Sequence, residues 1–330
     1  MNEESSILFL GDVIPYKPFR FKNNLPVVIN LECPVTRSEK PVSGKVSLRV
    51  PSNHLEKIFG SKLLAVNLAN NHILDYGIAG LNSTISEIGK TGAGYFGINL
   101  PADSTHNPLI LKFKDHNISC MSVIAEMTTP LVEFDDFNYV DLLDKEEIIE
   151  RIRSARDKSD RLIVHVHWGM PESSYPSPGQ VKTARKMIDA GADAVIGSHS
   201  HAPQAVEKYG KGIIAYGLGN FIMPSFRNTP SFFDEEGKPL SSFSKRLMPW
   251  NRISWGLALD LETMEYEIRK FVFMADFIVQ MRSTPFDRFI HLKEDIFTDS
   301  YEKTVSKHLR NRKFRRNIVD LFYNPFHRYL

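Results

Sequence analysis

The stretch KLLAVNLANNHILDYG, residues 62–77, joins a short apolar run to a cluster of polar side chains. Its first half is rich in Leu, Ala and Val, a pattern typical of a strand that is buried on both faces. Asn70, Asn71 and His72 follow at the point where this strand is predicted to end. Three adjacent polar side chains at the mouth of a core need partners. A turn, a network of hydrogen bonds or a metal ion could each supply them.

The same arrangement recurs along the first two thirds of the chain. Short apolar runs end in polar clusters in SILFLGD (6–12), PVVINLE (26–32), KLLAVNLANNH (62–72), RLIVHVHWG (161–169), ADAVIGSHSH (192–201) and GIIAYGLGNF (212–221). Between them, apolar residues recur at helical spacing in 78–90, 145–157 and 179–190. Strands that alternate with helices predict an α/β fold rather than an all-β one.

The last third of the chain departs from this pattern. Residues 254–274 alternate apolar and polar side chains on either side of a short turn, which predicts an antiparallel hairpin. Residues 225–252 carry few core signals, which predicts a long surface loop near the site. The segment 281–330 is helical in pattern and rich in Lys and Arg. We therefore predict one domain over residues 1–280, followed by a basic helical extension.

The composition excludes several classes of protein. With 330 residues, of which 42% are hydrophobic, the chain can bury a large core and is not disordered. Lys and Arg number 41 and Asp and Glu 39, so the net charge of +2 predicts no nucleic-acid partner. Cys33 and Cys120 are too few for a disulfide framework and are interpreted as reduced core residues. Because we find neither a secretory signal nor a membrane-spanning run, we expect a cytoplasmic protein.

Nearly all candidate metal ligands stand at the carboxyl ends of the predicted strands, where the sites of open α/β sheets lie. They are Asp12, Glu32, Asn70, Asn71, His72, His165, His167, His199 and His201. Oxygen and imidazole donors without a thiolate suit Mn²⁺, Zn²⁺ or Fe better than Mg²⁺. Taken singly, Asp12 could be a turn residue or helix cap and Glu32 a solvated carboxylate. Five strand ends of this kind together favour a metal site.

The two histidine pairs are interpreted differently. We expect only one of His165 and His167 to reach the site, on the assumption that their side chains leave the strand on opposite faces. His167 is preferred because it lies nearer to the strand end, and the other is interpreted as a core histidine. His199 and His201 begin a loop, so both can converge on a metal ion.

Six motifs, in this order, resemble the CapA family of capsule and poly-γ-glutamate synthesis. They are GDV (11–13), NLE (30–32), NLANNHILDYG (67–77), HVHWG (165–169), GSHSH (197–201) and YGLGNF (216–221). This family is similar to the calcineurin-like metallophosphatases, and the match covers about residues 6–224. The resemblance implies a four-layer αββα sandwich that binds one or two divalent transition-metal ions at its strand ends.

The resemblance also implies a role for each residue. Metal ligands would be Asp12, Glu32, Asn71, His167, His199 and His201. His72 would give a proton to the leaving oxygen, and Asp75 would either orient its ring or cap the next helix. Ile14 stands where the superfamily usually has a histidine, so the ion that Asp12 and His201 would bind would be held weakly or be absent. Pro171 stands where a glutamate is common, and Glu172 follows one residue later.

Other residues are candidates for substrate binding. Arg49 could bind phosphate or carboxylate, or form a surface ion pair, and Asn220 could contact substrate or belong to a turn. The 225–252 loop could form a wall of the site. The side chains proposed to face a sugar or lipid group there are Arg227, Phe232, Phe233 and Trp250.

Two functions are therefore open. The first is a metal-dependent phosphoesterase acting on a phosphorylated sugar, polyol or similar intermediate of capsule or surface-polymer synthesis. The second is an accessory protein, with little or no activity, of a polymer synthase. The retained ligands favour the enzyme and Ile14 favours the accessory role. The basic stretch 303–316 could contact the inner face of a membrane or a synthesis enzyme, or be the solvated face of a helix.

Overall fold

The computed structural model describes residues 1–99, 108–125, 140, 143, 147–234 and 236–323, with side chains up to residue 313. The strands are β1 Ser6–Val13, β2 Arg20–Phe21, β3 Val27–Leu31, β4 Leu63–Asn67, β5 Gly94–Phe96, β6 Leu109–Phe113, β7 His116–Ile124, β8 Arg161–His167, β9 Ala194–Ser198, β10 Val206–Tyr209, β11 Gly212–Ala215, β12 Asn220–Ile222, β13 Phe226–Phe233, β14 Pro239–Lys245, β15 Ile253–Asp260, β16 Tyr266–Phe273 and β17 Phe277–Met281. The α-helices are α1 Leu55–Phe59, α2 Gly77–Gly89, α3 Glu147–Arg156, α4 Pro178–Asp189 and α5 Asp299–Tyr323.

The strands of the described residues form two large sheets and one hairpin. The first sheet has the order β2-β17-β16-β15-β1-β3-β4-β5, and β12 also pairs with β1. The second has the order β10-β11-β9-β8-β7-β6, and β13 pairs with β14 alone. The strands β1, β3, β4 and β5 run parallel, as do β7, β8, β9 and β11.

Alternation along the central strands divides the core into three layers of side chains. In β1, Ile7 and Phe9 face the second sheet and pack in one cluster with Ile163 of β8. Leu8 and Leu10 point the other way, into the cluster that contains residues of α1 and α2. On the far side of the second sheet, the apolar residues of α3 and α4 cover β7, β8 and β9. This arrangement confirms the predicted αββα sandwich, since strands with two apolar faces need cover on both.

Strand register brings the polar ends of the two sheets to the same level. Asp12 lies opposite Asn30 on one side and Asn220 on the other, and Asn30 lies opposite Asn67. In the second sheet His167 lies opposite Ser198. The carboxyl ends of β1, β3, β4, β8 and β9 therefore meet at one edge of the sandwich, as the sequence predicts.

The prediction of a long surface loop over residues 225–252 is wrong. Most of this segment is the antiparallel hairpin of β13 and β14, with Thr229 opposite Phe243. Its side chains are largely exposed, and it contains Pro230, so neither apolar alternation nor strand propensity indicates a strand there. The hairpin docks on residues 43–45: the Gly44 N–H donates to the Phe233 carbonyl at 3.2 Å and the Phe232 N–H to the Lys45 carbonyl at 3.0 Å.

The hairpin predicted over residues 254–274 is confirmed by the antiparallel pairing of β15 and β16. The C-terminal extension predicted from residue 281 contains a short 3-10 helix at Asp287–Phe289 and is α-helical only from Asp299, where α5 begins. Its described part packs on the sandwich, because Phe286 and Phe289 join the core between the sheets. The Tyr301 hydroxyl also donates to the Pro176 carbonyl at 2.6 Å. Within the described residues, no helix has the length and apolar character needed to cross a bilayer.

Candidate metal centre

Asn30, at the end of β3, holds the two carboxylates of the site. Its Nδ2 donates to Asp12 Oδ1 at 2.9 Å and to Glu32 Oε2 at 2.5 Å. Its Oδ1 accepts from Asn67 Nδ2 at 3.1 Å. All four side chains are buried. One oxygen of each carboxylate is thereby fixed, whereas Asp12 Oδ2 and Glu32 Oε1 accept no hydrogen bond within the described part of the chain.

Asn70 closes the turn that follows β4. Its Nδ2 donates to the Leu31 carbonyl at 2.7 Å, and its Oδ1 accepts from the His72 N–H at 3.0 Å. The side chain is buried and fully used in holding the turn against β3. Because Asn70 fixes the backbone on both sides, Asn71 and His72 are presented together to the space between the sheets.

The first group of candidate ligands surrounds Nε2 of His167. This nitrogen lies 2.9 Å from Asn71 Oδ1, 3.0 Å from His199 Nδ1 and 3.5 Å from Glu32 Oε1. The other ring nitrogen of His167 lies 2.9 Å from Ser198 Oγ, which fixes the orientation of the ring. Ligand atoms of Glu32, His167 and His199 lie within 4.8 Å of one another.

The second group shares Glu32 with the first. Ligand atoms of Asp12, Glu32 and His201 lie within 4.8 Å of one another, and His201 Nδ1 is 3.1 Å from Asp12 Oδ2. His201 Nδ1 is also 2.9 Å from Asn220 Oδ1. Ile14, which replaces the expected histidine, is buried in the core cluster on the helix side of the first sheet. The second group therefore has fewer imidazoles than the first among the described residues.

The loop after β9 has the backbone geometry of a constrained site. His199 has a φ of 78° and His201 a φ of 51°, in the left-handed region that non-glycine residues rarely adopt. Such conformations persist only where the surroundings impose them, and they cluster at functional sites. Here they turn both imidazoles to the same side, although the residues lie two apart in a loop.

The protonation of the cluster fits a bound cation. One ring hydrogen on His167 Nε2 cannot serve both Asn71 and His199. Burial lowers the pKa of His167 and of His199 well below the usual value, and neighbouring histidines add to the shift, which favours the neutral form of both rings. Burial, with the nearby charge of Asp12, raises the pKa of Glu32 well above its usual value. A divalent ion would satisfy these oxygen and nitrogen atoms together, and this donor set suits transition metals.

His72, Asp75 and Lys45 form a chain of contacts beside the cluster, in which Asp75 and Lys45 are buried and His72 is partly exposed. His72 Nδ1 lies 2.7 Å from Asp75 Oδ2, which also accepts from the Leu48 N–H at 2.5 Å. Asp75 Oδ1 pairs with Lys45 Nζ at 2.5 Å, and that ammonium also contacts the Asn71 carbonyl at 2.5 Å. Burial lowers the pKa of His72, and Asp75 opposes this shift. The N-cap position of α2, just before Gly77, is occupied by Tyr76, and no side chain caps the helix there. Asp75 therefore orients His72 rather than capping that helix.

A cavity of about 140 Å³ opens next to these groups. It is lined by Glu32, Val46, Leu48, His72, His201, Asn220, Met223, Phe226, Phe243, Lys245 and Leu247. Asn220 is therefore at the cavity, as predicted for a substrate contact. Lys245, which the sequence does not single out, pairs with Glu172 at 3.5 Å. Glu172 thus contacts a side chain that lines the cavity, but it is not itself among the lining residues.

Arg49 and the predicted wall residues are not among the side chains that line this cavity. The Arg49 guanidinium donates to the Ser38 carbonyl and lies 5.3 Å from the centre of the Tyr76 ring. The 225–252 segment does form a wall, but through Phe226 and Phe243 rather than through the aromatic residues expected. The pairing of β13 with β14 decides which side chains of this segment face the site. A prediction that treats the segment as a loop contains no such pairing, so it could not identify these side chains.

The expectation that His165 and His167 point to opposite faces is wrong. Residues two apart on a strand share a face, and both rings point into the space between the sheets. They differ in depth, because His165 lies deeper in the core between the sheets. The centre of its ring is 5.7 Å from that of Phe9 and 5.0 Å from that of Phe96, and both phenylalanines belong to this core. The choice of His167 as the residue that reaches the cluster agrees with the structure because it stands at the strand end.

Sequence comparisons place this chain in a family. A sequence model described as "Bacterial capsule synthesis protein PGA_cap" matches residues 15–225. The capsule biosynthesis protein CapA of Bacillus anthracis is 28% identical over 64% of this chain and 52% of its own length. The PGA biosynthesis protein CapA of Bacillus subtilis strain 168 is 30% identical over 58% of this chain and 52% of its own.

A third relative, from Mycobacterium tuberculosis, bears the name "Probable polyglutamine synthesis accessory protein". It is 28% identical over 59% of this chain and 54% of its own length. The chain thus spans about half the length of the curated relatives it matches. A solved hypothetical protein from Thermus thermophilus aligns with 83% of this chain and 96% of its own, at 14% identity and a TM-score of 0.43, a likeness too weak to carry a functional argument.

Proposed function

The chain belongs to the family of the bacterial capsule synthesis protein PGA_cap, and we propose that it is a metal-dependent phosphoesterase of capsule or surface-polymer synthesis. Its substrate would be a phosphorylated sugar, polyol or similar intermediate. One observation carries the proposal: two groups of ligand atoms share Glu32, and the His72–Asp75 pair stands beside them at the same cavity. A binding site needs only the ligands, whereas a hydrolase also needs a group that moves a proton.

Asp12, Glu32, Asn71, His167, His199 and His201 would hold the ion or ions, with Mn²⁺, Zn²⁺ or Fe as the candidates. When bound, such an ion lowers the pKa of a water molecule and withdraws charge from phosphoryl oxygens. The protein fixes these ligands before binding, because Asn30 holds both carboxylates and Ser198 holds the ring of His167. Preorganised ligands spare the reaction the cost of rearranging polar groups.

His72 is the proposed proton donor. Asp75 takes the hydrogen on Nδ1, so Nε2 is the nitrogen that can carry a second proton to the leaving oxygen of a substrate in the cavity. Asp75 itself is fixed by the Leu48 N–H and the Lys45 ammonium. The ring can therefore not turn away from the cavity without breaking the contact with Asp75. Asn220 and Lys245 line the same cavity and can bind anionic or hydroxyl oxygens there.

Turnover of p-nitrophenyl phosphate tests this proposal. We expect the protein, purified without chelators, to contain a transition metal and to hydrolyse the ester with Mn²⁺, Zn²⁺ or Fe²⁺. His72→Ala should retain the metal and lose about 10²- to 10⁴-fold in kcat, which is the usual contribution of general acid catalysis. His116→Ala is the matched control, because His116 begins β7 at the opposite end of the sheet. If the protein binds no metal, or His72→Ala hydrolyses the ester at the wild-type rate, the enzyme assignment fails.

An accessory role in polymer synthesis is the second candidate. It is favoured by Ile14, which removes an imidazole from the second ligand group, and by the accessory function in the name of the mycobacterial relative. Under this role the fold would assist a synthesis enzyme, and the metal centre would stabilise structure. Metal content without turnover of any phosphate ester, together with capture of a synthase subunit, would favour this candidate.

A further inference from the structure

The side chains that line the cavity beside the metal centre fall into two chemically different sets. The polar set contains Glu32, His72, His201 and Asn220. The apolar half of the lining consists mainly of carbon: Val46, Leu48, Met223, Phe226, Phe243 and Leu247. Carbon side chains neither donate nor accept hydrogen bonds, so hydroxyl groups that contact this apolar half lose their partners in water.

The β13–β14 hairpin holds the aromatic part of the apolar half in place. The rings of Phe226 and Phe243 lie 5.7 Å apart, a distance at which aromatic side chains attract one another. At the base of the hairpin, the Leu247 N–H donates to Ser225 Oγ at 3.1 Å. At its other end the backbone of β13 docks on residues 43–45, which precede Val46. The apolar wall is therefore a built surface and not a set of unrelated side chains.

Lys245 adds one cation to this wall. It lies two residues after Phe243 on β14, so both side chains leave the strand on the same face, and both line the cavity. The Lys245 ammonium is held 3.5 Å from Glu172 Oε1. A lysine among otherwise apolar lining residues favours an anionic oxygen over a neutral one.

The size of the cavity limits what it encloses. Its volume of about 140 Å³ is well below the roughly 300–1,000 Å³ of a typical small-molecule site. The cavity therefore encloses the anionic head of a ligand and the few atoms bonded to it. The atoms next to the phosphate ester oxygen would therefore contact the lining of the cavity, of which six side chains are mainly carbon.

From these observations we infer that the hairpin selects phosphate monoesters whose first carbons are apolar, alkyl or aromatic, over esters of sugars and polyols. The inference rests on the proposed phosphoesterase function, and it replaces the sugar or polyol part of the substrate proposed above by an alkyl or aromatic group. Phe226, Phe243 and Leu247 determine the specificity, and Lys245 binds the anionic head. The ester of a polyhydroxylated carbon would place unpartnered hydroxyl groups against the wall.

Propyl phosphate and glycerol phosphate test this selectivity. Both have three carbons, and the second carries two additional hydroxyl groups. These hydroxyls make glycerol the better leaving group, so chemical reactivity alone favours glycerol phosphate. We expect kcat/KM to be at least about tenfold higher for propyl phosphate, the scale on which apolar pockets discriminate. Equal values, or a preference for glycerol phosphate, would overturn the inference.

Variants of the hairpin locate the selectivity. Phe243→Ala should raise KM for propyl phosphate about tenfold and leave that for glycerol phosphate within twofold. Phe232→Ala is the matched control, since this ring lies on the same hairpin, is 46% exposed and is absent from the cavity lining. Lys245→Met should raise KM for both esters, and Lys238→Met, at an exposed lysine of the same hairpin, should change neither. If Phe243→Ala lowers kcat/KM for both esters equally, the ring has only a structural role and the inference is wrong.

A binding measurement separates this inference from the proposed function. Propylphosphonate and 2,3-dihydroxypropylphosphonate cannot be hydrolysed, and calorimetry on the Mn²⁺-loaded protein measures their affinities directly. Selective binding of propylphosphonate that Phe243→Ala abolishes supports the inference even if no ester is turned over. Equal binding of the two phosphonates overturns it, even if p-nitrophenyl phosphate is hydrolysed and the phosphoesterase assignment stands.

Discussion

Lys45 lies in the stretch PVSGKVSLRVP, residues 41–51, for which neither a strand nor a helix was predicted. Its side chain is nevertheless buried, and its ammonium is shared between Asp75 and the Asn71 carbonyl. The two residues that it touches flank His72 in sequence. Lys45 is therefore a positioning residue, which fixes the proposed proton donor and the proposed ligand Asn71 at the same time.

Lys45→Met should destabilise the fold by about 3–5 kcal/mol, because it leaves the Asp75 carboxylate buried without a counter-charge. We expect kcat to fall with it, since the ring of His72 loses its fixed partner. Unfolding by urea measures the stability. Lys62→Met is the control, because Lys62 is exposed.

The double variant Lys45→Met/Asp75→Asn separates the charge from the packing. Since it removes both charges, it should be more stable than Lys45→Met alone by more than about 1 kcal/mol. Both variants should lose activity. A double variant no more stable than Lys45→Met would show that the ion pair does not carry the role assigned to it.

The contacts of single residues were predictable only where the position of the residue in a predicted strand determines them. Asp12, Glu32, Asn71 and the histidines stand at strand ends, so parallel pairing alone brings them to one edge. Asn30 lies two residues before Glu32, so both side chains point to the same face of the sheet. This spacing is a signal in the sequence that could have identified Asn30 as a residue of the site. Lys45 and Lys245 reach the site from segments distant in sequence, and no local pattern indicates such contacts.

At the scale of elements, the site depends on how closely β12 approaches β1. A Cβ atom on Gly11 would lie 1.9 Å from the Gly219 carbonyl oxygen, so only glycine permits this approach. The same carbonyl accepts from the Asp12 N–H at 3.0 Å. Close contact at Gly11 therefore sets the positions of Asp12 and, one residue beyond Gly219, of Asn220.

Gly11→Ala should push β12 away from β1 and destabilise the fold by about 3 kcal/mol, the scale of overpacking in a core. Because Asp12 and Asn220 move apart, the affinity for Mn²⁺ should also fall about tenfold. Calorimetric titration with Mn²⁺ and urea unfolding measure the two effects.

Gly89→Ala is the matched control for this substitution. A Cβ atom at Gly89, the last residue of α2, meets nothing within 4 Å. The change should leave metal affinity unaltered and stabilise the fold slightly, by about 0.5 kcal/mol. If the two variants bind Mn²⁺ equally well, the approach of β12 does not position the ligands.

The elements that the sequence predicted are those with two apolar faces or clean alternation. β1, β3, β4, β8, β9 and β11 fall within the predicted runs, and β15 and β16 within the predicted hairpin, except that β1 and β15 each extend one residue beyond the predicted range. The β13–β14 hairpin was missed because its strands face solvent on most positions and its stability comes from docking on residues 43–45. Tertiary support of this kind leaves no periodic signal in a single sequence.

At the scale of the whole molecule, the site exists because the parallel strands of two mixed sheets end at the same edge. The alternation of strands with helices along the chain predicted an α/β fold. The face-to-face packing of two sheets was predicted only from the resemblance to a family. The histidines illustrate the consequence of that packing. His165 and His167 share a face, yet one lies in the closed core between the sheets and the other at its open edge.

The buried His165 predicts how the stability of the whole fold depends on pH. Burial lowers the pKa of His165 to about 3, and Nε2 has no hydrogen-bond partner within the described residues. In the unfolded chain the pKa is about 6.5, so the unfolded state binds the proton first as the pH falls. Stability is therefore complete above pH 6.5 and decreases from there towards pH 3.

By pH 5 this single group should cost the fold about 2 kcal/mol relative to pH 7.5. His165→Phe, which keeps a ring between Phe9 and Phe96, should reduce the loss between these two pH values by that amount. Urea unfolding with a chelator present measures it, because the other histidines then titrate alike in both proteins. His291→Phe, at an exposed position, should leave the loss unchanged. If His165→Phe loses as much stability on acidification as the parent chain, His165 is not held neutral in the core.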